Sequence, residues 1–258
     1  MALHTPHNVI SFVAHGAQVD VHRHHCFQIA MSLHAGFDCR LGDKTYRDMK
    51  GFIINQNVPH SCVAQRTSVF IYFVDAESYF GWQLKTMLGG AAVIDLETLL
   101  TDEQRHRFFA KNNPTLPKEQ LRQMAHEAFN LILSRSELAA DSPVDERITN
   151  AIALIETRLA DKLTLTDVAD HICLTPERTR HLFAQSTGVP FSQFVLWNRI
   201  KRVIGSVVCD GSSLTDAALE SGFADQSHFC RIFRRTFGIP ARRLLQNSRF
   251  VQFLDPLL

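Results

Sequence analysis

The stretch GFADQSHFCRIFRRTFGIP, residues 222–240, sets Phe229, Ile232, Phe233 and Phe237 at helical spacing and fills the gaps with His228, Arg231, Arg234 and Arg235. Apolar residues recurring every three or four positions make one face of an α-helix, and the basic residues between them make the opposite face. A related stretch, LTPERTRHLFAQSTGVP, lies at 174–190. Extending both backwards exposes a duplication. Leu165, Thr166, Asp167 and Ala169 match Leu214, Thr215, Asp216 and Ala218 at an offset of 49, and Phe183, Gly188 and Pro190 match Phe233, Gly238 and Pro240 at 50. Each copy reads as helix, tight turn, helix. Two copies are too few for a solenoid.

Small Ala169 and Ala218 let the second helix of each copy cross the first closely. Gly222 supplies the permissive backbone for the turn, whereas Cys173 occupies that place in the first copy, so the first turn is expected to be strained or differently shaped. Thr175 and Asp225 are placed to cap the second helices, and Pro176 suits a first helical turn. With Thr179, Leu182 and Phe183 inward, like Phe229, Ile232 and Phe233, the outward faces carry Glu177, Arg178, His181 and Gln185 in one copy. In the other they carry Ser227, His228, Arg231 and Arg235, with Arg180 and Gln226 at the margins. Such faces fit a DNA major groove, where Arg reads guanine and Gln adenine, and two helices about 34 Å apart would reach successive grooves. The competing reading is two surface helices of a helical enzyme domain.

Charge supports the first reading. The chain of 258 residues carries a net charge of only +1, yet residues 171–250 hold eleven Lys and Arg against five Asp and Glu. A basic end on a neutral protein points to a polyanionic partner, against the blander alternative of a solvated charged face. The length and the 45% apolar content allow one large domain or two ordinary ones. No basic flank leads into an apolar run at the start, and no apolar stretch approaches the roughly 18 residues of a membrane span, so a cytoplasmic protein without a membrane partner is expected. Six scattered cysteines without a CxxC pair suit reduced thiols.

Up to about residue 80 the pattern is short alternating segments broken by Gly, Asn, Asp and Pro, which predicts a small antiparallel β-sandwich or barrel. From about 96 to 138 the period becomes helical, with Leu121, Ala125, Ala128 and Ile132 as a stripe that either packs on the barrel or pairs with its copy in a homodimer. The polar segment 139–146, containing Pro143, reads as a linker. Beyond it, Val144, Ile148, Ile152, Ile155 and Leu159 begin an all-helical half. Read as one strand, residues 21–33 put His22, His24, Cys26 and Gln28 on one face and Phe27, Ile29, Met31 and Leu33 on the other. His60 follows Pro59 and precedes Cys62.

The pattern G-F-x-D-Q-S-x-F-x-R-x-F-[KR]-R-x-F-G-x-P, present from Gly222 to Pro240, resembles the signature of the AraC/XylS bacterial transcription regulators, and the likeness extends over roughly residues 145–245. It implies two helix-turn-helix subdomains, about 163–184 and 212–236, joined by the helix FSQFVLWNRIKRV. It also implies base contacts at Glu177, Arg180, His181, Gln226, Ser227 and Arg231. Three features depart from the pattern: Cys173 in the first turn, Leu244 in place of an aromatic-Arg ending, and the apolar tail FVQFLDPLL, which must dock somewhere or serve an interface.

The spacings His22-x-His24-x3-Gln28 and Gly51-x7-Pro59-His60 are similar to the two half-motifs of cupin barrels, over about residues 5–80. The resemblance implies an effector pocket at His22, His24, Gln28 and His60. In metal cupins a Glu stands where Gln28 does, so the set here is poorer for hard iron or manganese, while Cys26 and Cys62 could complete an imidazole and thiolate site for zinc or copper.

The expected architecture is therefore an α+β chain of two domains. A cupin-like β-barrel with following helices spans 1–138, a linker spans 139–146, and an all-α domain with two helix-turn-helix motifs spans 147–258. The expected function is a regulator without catalytic residues, cofactor or metal. It would bind double-stranded promoter DNA in response to a small-molecule effector, and engage RNA polymerase if it activates. The alternatives are a metal-dependent cupin enzyme with a helical accessory domain, a regulator sensing a metal through its His and Cys residues, and a constitutive architectural DNA-binding protein.

Overall fold

A computed structural model describes residues 9–32, 35–101, 103–104, 118–135, 145–245 and 251–254. The chain packs as two compact units, one built on residues 140–233 and the other on residues 4–139 together with 234–258.

The strands of the second of these units are β1 (Val9–His22), β2 (Phe27–Ser32), β3 (Phe37–Leu41), β4 (Lys44–Met49), β5 (Gly51–Ile54) and β6 (His60–Val74), and all their pairings are antiparallel. β6 organises the sheet. It pairs with β1 from His22↔His60 to Val9↔Val74, with β3 along its first residues and with β2 along its last. A strand that changes partner along its length, with register shifts between His15 and Ala17 and between Val19 and His22, twists and curls its sheet into a barrel-like shape.

Residues 21–33 do not form the single strand expected. β1 ends at His22, residues 23–26 turn the chain, and β2 begins at Phe27. The corner is held from outside: Asn57 N–H donates to the His24 carbonyl at 2.7 Å and the Gln56 side-chain amide to the His25 carbonyl at 2.6 Å. All six residues of β2 are buried, because the curled sheet encloses one face while helices cover the other. Phe27, Ile29 and Met31 join a core with Val9, Tyr72 and Val74, and Gln28 and Ala30 line a cavity on the opposite side.

The helical cover consists of α1 (Tyr79–Leu88) and α2 (Lys118–Leu133), with β7 (Val93–Asp95) between them pairing with β5. Ala128, Phe129, Ile132 and Leu133 of α2 enter the barrel core, and Phe129 stacks on Tyr72 with centroids 5.3 Å apart. The stripe read at Ala128 and Ile132 thus packs on the barrel; the side chains of Leu121 and Ala125 lie outside the described residues. Most of the expected linker also lies outside them. The tail finds a place in the sheet: β8 (Val251–Leu254) pairs with β1 from Ser11↔Leu254 to Ala14↔Val251.

In the helical unit, α3 (Glu146–Thr157), α4 (Leu165–His171) and α5 (Pro176–Thr187) close around Ile148, Ile152, Ile155, Val168, Leu182 and Phe183. Helix α6 (Phe191–Val208) starts in that core with Phe194 and Val195 and goes on to bury Trp197, Ile200, Val203 and Ile204. Arg199 on α6 ties back to the end of the first subdomain. Its Nε donates to the Leu159 carbonyl at 2.8 Å and its Nη2 to the Asp161 carbonyl at 2.7 Å. Beyond α6 follow α7 (Leu214–Glu220) and α8 (Gln226–Phe237), whose last residues, like the whole of α9 (Ala241–Leu245), belong with the barrel unit. Ala217, Ala218, Phe223, Phe229 and Phe233 are buried.

The two tight turns have one geometry. Leu174 N–H donates to the Ala169 carbonyl at 2.9 Å and Phe223 N–H to the Ala218 carbonyl at 3.0 Å. Cys173 N–H reaches Asp170 at 3.2 Å, and Gly222 N–H reaches Leu219 at 3.0 Å. Gly222 sits at φ 85° and Cys173 at φ 55°, so the first turn is not reshaped to suit a side chain. Cys173 is held in the left-handed region, which costs a residue with a Cβ about 1–2 kcal/mol.

Candidate functional site

The outward faces of α5 and α8 follow from the burial of their apolar stripes. Thr179 and Phe183 are fully buried, as are Phe229 and Phe233, and both helix starts are capped by side chains. Thr175 Oγ1 accepts from Arg178 N–H at 3.2 Å and Asp225 Oδ1 from His228 N–H at 2.6 Å, so each helix N-terminus is fixed rather than frayed. Glu177, Arg178, Arg180 and His181 on α5 are exposed, as are Ser227, Arg231 and Arg235 on α8.

The other two candidates on α8 are partly withdrawn. Gln226 is half-buried, and its Oε1 accepts the Thr215 hydroxyl at 2.8 Å. His228 leans edge-on to Phe223, with centroids 5.6 Å apart, and its Nδ1 is buried without a hydrogen-bond partner among the described residues. Sequence reading missed Thr215 as the residue that orients Gln226. The signal was available, since Thr215 is one of the positions repeated at the offset of 49. Arg234 lies 3.2 Å from Asp20 of β1, and with both groups 64% exposed this pair adds little stability.

The second cluster lies in the barrel. His22 ends β1, His24 sits in the following turn, Gln28 is on β2 and His60 opens β6 after Pro59. All four are nearly inaccessible, from 2% to 8% exposed. One ligand atom from each of the three histidines lies within 4.8 Å of the others. Each imidazole Nδ1 is on a backbone carbonyl: His22 with Asp20 at 2.9 Å, His24 with Cys26 at 3.0 Å and His60 with Val58 at 2.9 Å. The Gln28 side-chain oxygen lies 2.9 Å from both His24 Nε2 and His60 Nε2. Phe73 closes the site edge-on to His24, with centroids 5.1 Å apart.

Burial sets the protonation of this cluster. It pushes His22 down to about 3 and His60 down to about 2, the neighbouring His24 adding to both effects, and it lowers His24 as well. The imidazoles are therefore neutral at physiological pH. The cysteines do not join them as expected for a mixed site: among the described residues only the three histidines group as potential ligands. The Cys26 sulfur lies 3.2 Å from His24 Nδ1, on the carbonyl side of the ring. Burial pushes the Cys62 thiol up to about 12, so it is not a thiolate at neutral pH. Beside the cluster lies a cavity of ≈ 40 Å³, bordered by His22, Gln28, His60, Ile71, Phe73 and Phe237.

Comparison with known proteins bears on these two sites unequally. A helix-turn-helix domain family matches residues 168–247. The chain is 33% identical over 100 residues to the regulatory protein PocR of Salmonella typhimurium, covering 38% of this chain and 32% of that protein. It is 26% identical over 179 residues to the transcriptional regulator ArgR of Pseudomonas aeruginosa, covering 68% and 53%. To the arabinose operon regulatory protein of Escherichia coli it is 31% identical over 112 residues, covering 42% and 38%. The matched stretches thus span about a third to a half of those relatives' lengths. The fold is similar throughout to that of ToxT from Vibrio cholerae, with a TM-score of 0.52 and 13% identity, covering 92% of this chain and 97% of that one.

Proposed function

We propose that the chain, whose residues 168–247 match a helix-turn-helix domain family, is a transcription regulator that binds promoter DNA sequence-specifically through both copies of the motif, under the control of a small-molecule signal received in the barrel. The observation that carries this reading is the duplicated turn, with two capped helices whose exposed faces are rich in arginine, in a chain region of strongly positive charge. The proposed DNA-reading set is Glu177, Arg178, Arg180 and His181 on α5, with Gln226, Ser227, His228, Arg231 and Arg235 on α8. Arg231 is the strongest candidate for a base contact, being exposed in the middle of α8. Glu177, facing an anionic duplex, either accepts from cytosine N4 or acts on the positive end of its own helix.

His22, His24, Gln28 and His60 are proposed to receive the signal. Their burial beside a cavity supports that role over a surface one. An enzymatic reading is disfavoured by the kinship of the helical domain with regulators and by the neutral Gln28 where a metal cupin carries a carboxylate. A cytoplasmic location belongs to the same reading, as does engagement of RNA polymerase if the regulator activates.

The test is to map bound sites genome-wide, then measure binding to the recovered operator by gel shift. Arg231→Ala should cost about 1–3 kcal/mol and relax preference at one base position, whereas loss of a phosphate contact weakens all sequences alike and lowers the salt slope. Unchanged affinity and preference on Arg231→Ala would remove α8 as a reading helix.

A further inference from the structure

We propose that the cavity inside the barrel binds a compact, uncharged, hydrocarbon-like molecule carrying no more than one hydroxyl, and excludes carboxylates and sugars. The inference deepens the reading of the barrel as the sensor, and it rests on that reading only for the claim that occupancy is the signal.

The lining decides the chemistry. Phe12, Phe52, Val69, Ile71 and Phe73 of the sheet form most of the wall, Phe237 closes it, and among the described residues no Asp, Glu, Lys or Arg side chain borders it. Such a wall offers a ligand dispersion and escape from water, with no charge to pair. Ala14, Ala17 and Ala30, all buried, are the small side chains that leave the space open.

The polar end is complete without a ligand. His22, Gln28 and His60 border the cavity there, with His24 behind them. The Nδ1 atoms of His22, His24 and His60 lie on backbone carbonyls, which can only accept, so each neutral ring carries its proton on Nδ1. Turning the Gln28 amide, an orientation that the heavy atoms do not distinguish, then sets its two N–H groups on Nε2 of His24 and of His60. The cluster is thereby paired within itself. Burial keeps all three rings uncharged, so it supplies no cation for an entering anion.

These features rank ligands by size and polarity. A carboxylic acid that must enter in its neutral form at pH 7, from a pKa near 4.3, loses about 500-fold in affinity. Each sugar hydroxyl left without a partner weakens binding roughly tenfold. A cavity of ≈ 40 Å³ has room for about three or four water-sized groups, which suits a short-chain alcohol. A body the size of an arene needs the wall to yield. Phe237 is the side chain to remove for that purpose: it packs on Phe73 with centroids 5.0 Å apart but belongs to α8, so its truncation leaves the strand pairing untouched.

The experiment titrates the full chain, methyl-labelled at valine and isoleucine, with 1-butanol, sodium butyrate and glycerol in parallel at pH 7. Saturable shifts of the Val69 and Ile71 methyl resonances are expected with 1-butanol, and no saturation with butyrate or glycerol at the concentrations that saturate 1-butanol. Ala30→Leu fills the cavity and should abolish 1-butanol binding, whereas Phe237→Ala should tighten phenol binding about tenfold or more. If Ala30→Leu does not fold, the comparison of 1-butanol with butyrate on the wild type still decides. Absence of a saturable response to 1-butanol, butyrate binding as tightly as 1-butanol, or binding indifferent to Ala30→Leu overturns the inference. Phenol bound no better by Phe237→Ala refutes the size limit. Operator gel shifts with and without 1-butanol form a separate arm. A shift that 1-butanol does not alter refutes occupancy as the signal while the cavity assignment stands, and failure to bind any DNA refutes the regulator reading alone.

Discussion

Replacing Cys173 by glycine should stabilise the helical unit, because the first turn holds a side-chain-bearing residue in a conformation that its duplicate assigns to Gly222. The left-handed φ of 55° costs a residue with a Cβ about 1–2 kcal/mol. Against this, glycine loses about 0.4–1 kcal/mol more backbone entropy on folding. The Cys173 side chain is exposed, so its removal forfeits little burial. The net expectation is a gain of about 0.5–1 kcal/mol, or roughly 3–6 °C in midpoint for a domain near 100 residues.

Thermal unfolding followed by circular dichroism and calorimetry measures it, with Cys173→Ala as the control that removes the thiol and keeps the strain. The converse substitution has more than one reason to fail. At Gly222 a Cβ would lie 2.7 Å from the Leu159 carbonyl oxygen and 2.9 Å from the Arg199 guanidinium, groups already hydrogen-bonded to each other, in addition to the penalty at φ 85°. Gly222→Ala should therefore destabilise by about 2 kcal/mol or more. A Cys173→Gly protein no more stable than wild type and Cys173→Ala, measured at equal protein concentration, would refute the argument that the two turns share one strained geometry.

Asp225→Ala should cost about 1 kcal/mol in denaturant unfolding through loss of the cap on His228 N–H. Phe129→Ala should cost about 3–5 kcal/mol and free α2 from the barrel, seen as faster amide exchange in that helix, since Phe129 is 1% exposed and stacked on Tyr72. Stability of the barrel should fall on acidification. His22 and His60 stay neutral when folded but titrate near 6.5 when unfolded, so the unfolded chain binds more protons below pH 6.5. Each histidine then removes up to about 1.4 kcal/mol per pH unit, down towards its folded value of about 3 or about 2. Chemical denaturation at pH 7, 6 and 5 checks the sign, and an unchanged midpoint would contradict the burial of these rings.

The helical unit was legible because its determinants are local and written twice. The spacing of Phe229 and Phe233, the caps at Thr175 and Asp225, and the turn at Gly222 each act within a few residues of chain, and the duplication supplied an internal check. Helical periodicity alone assigned Thr179 and Phe183 to the core and left Arg178, Arg180 and Arg231 outside. Where the reading of this unit fell short, spacing along one helix was the wrong guide, because a residue of the preceding turn intervened. His228 shares the outward face by spacing, yet Phe223 in the preceding turn draws its ring partly inward.

In the barrel the balance is reversed. Sequence by itself determined that His22, His24, Gln28 and His60 belong together, through two short spacings, and that the surrounding segments are strands. It placed three of them on one straight strand, where residues alternate faces, because nothing local marks the turn at residues 23–26. That turn is fixed by Gln56 and Asn57, about thirty residues away, as they bond to the carbonyls of His24 and His25. Only the tertiary structure brings Gln28 between His24 and His60 and removes the thiols of Cys26 and Cys62 from the cluster. It alone decides that α2 covers the barrel and that Val251–Leu254 completes the sheet against β1. The physical reason is common to all of these: strand pairing and buried polar contacts join residues that the chain keeps far apart, and one-dimensional periodicity records which face a residue prefers, not which partner it meets.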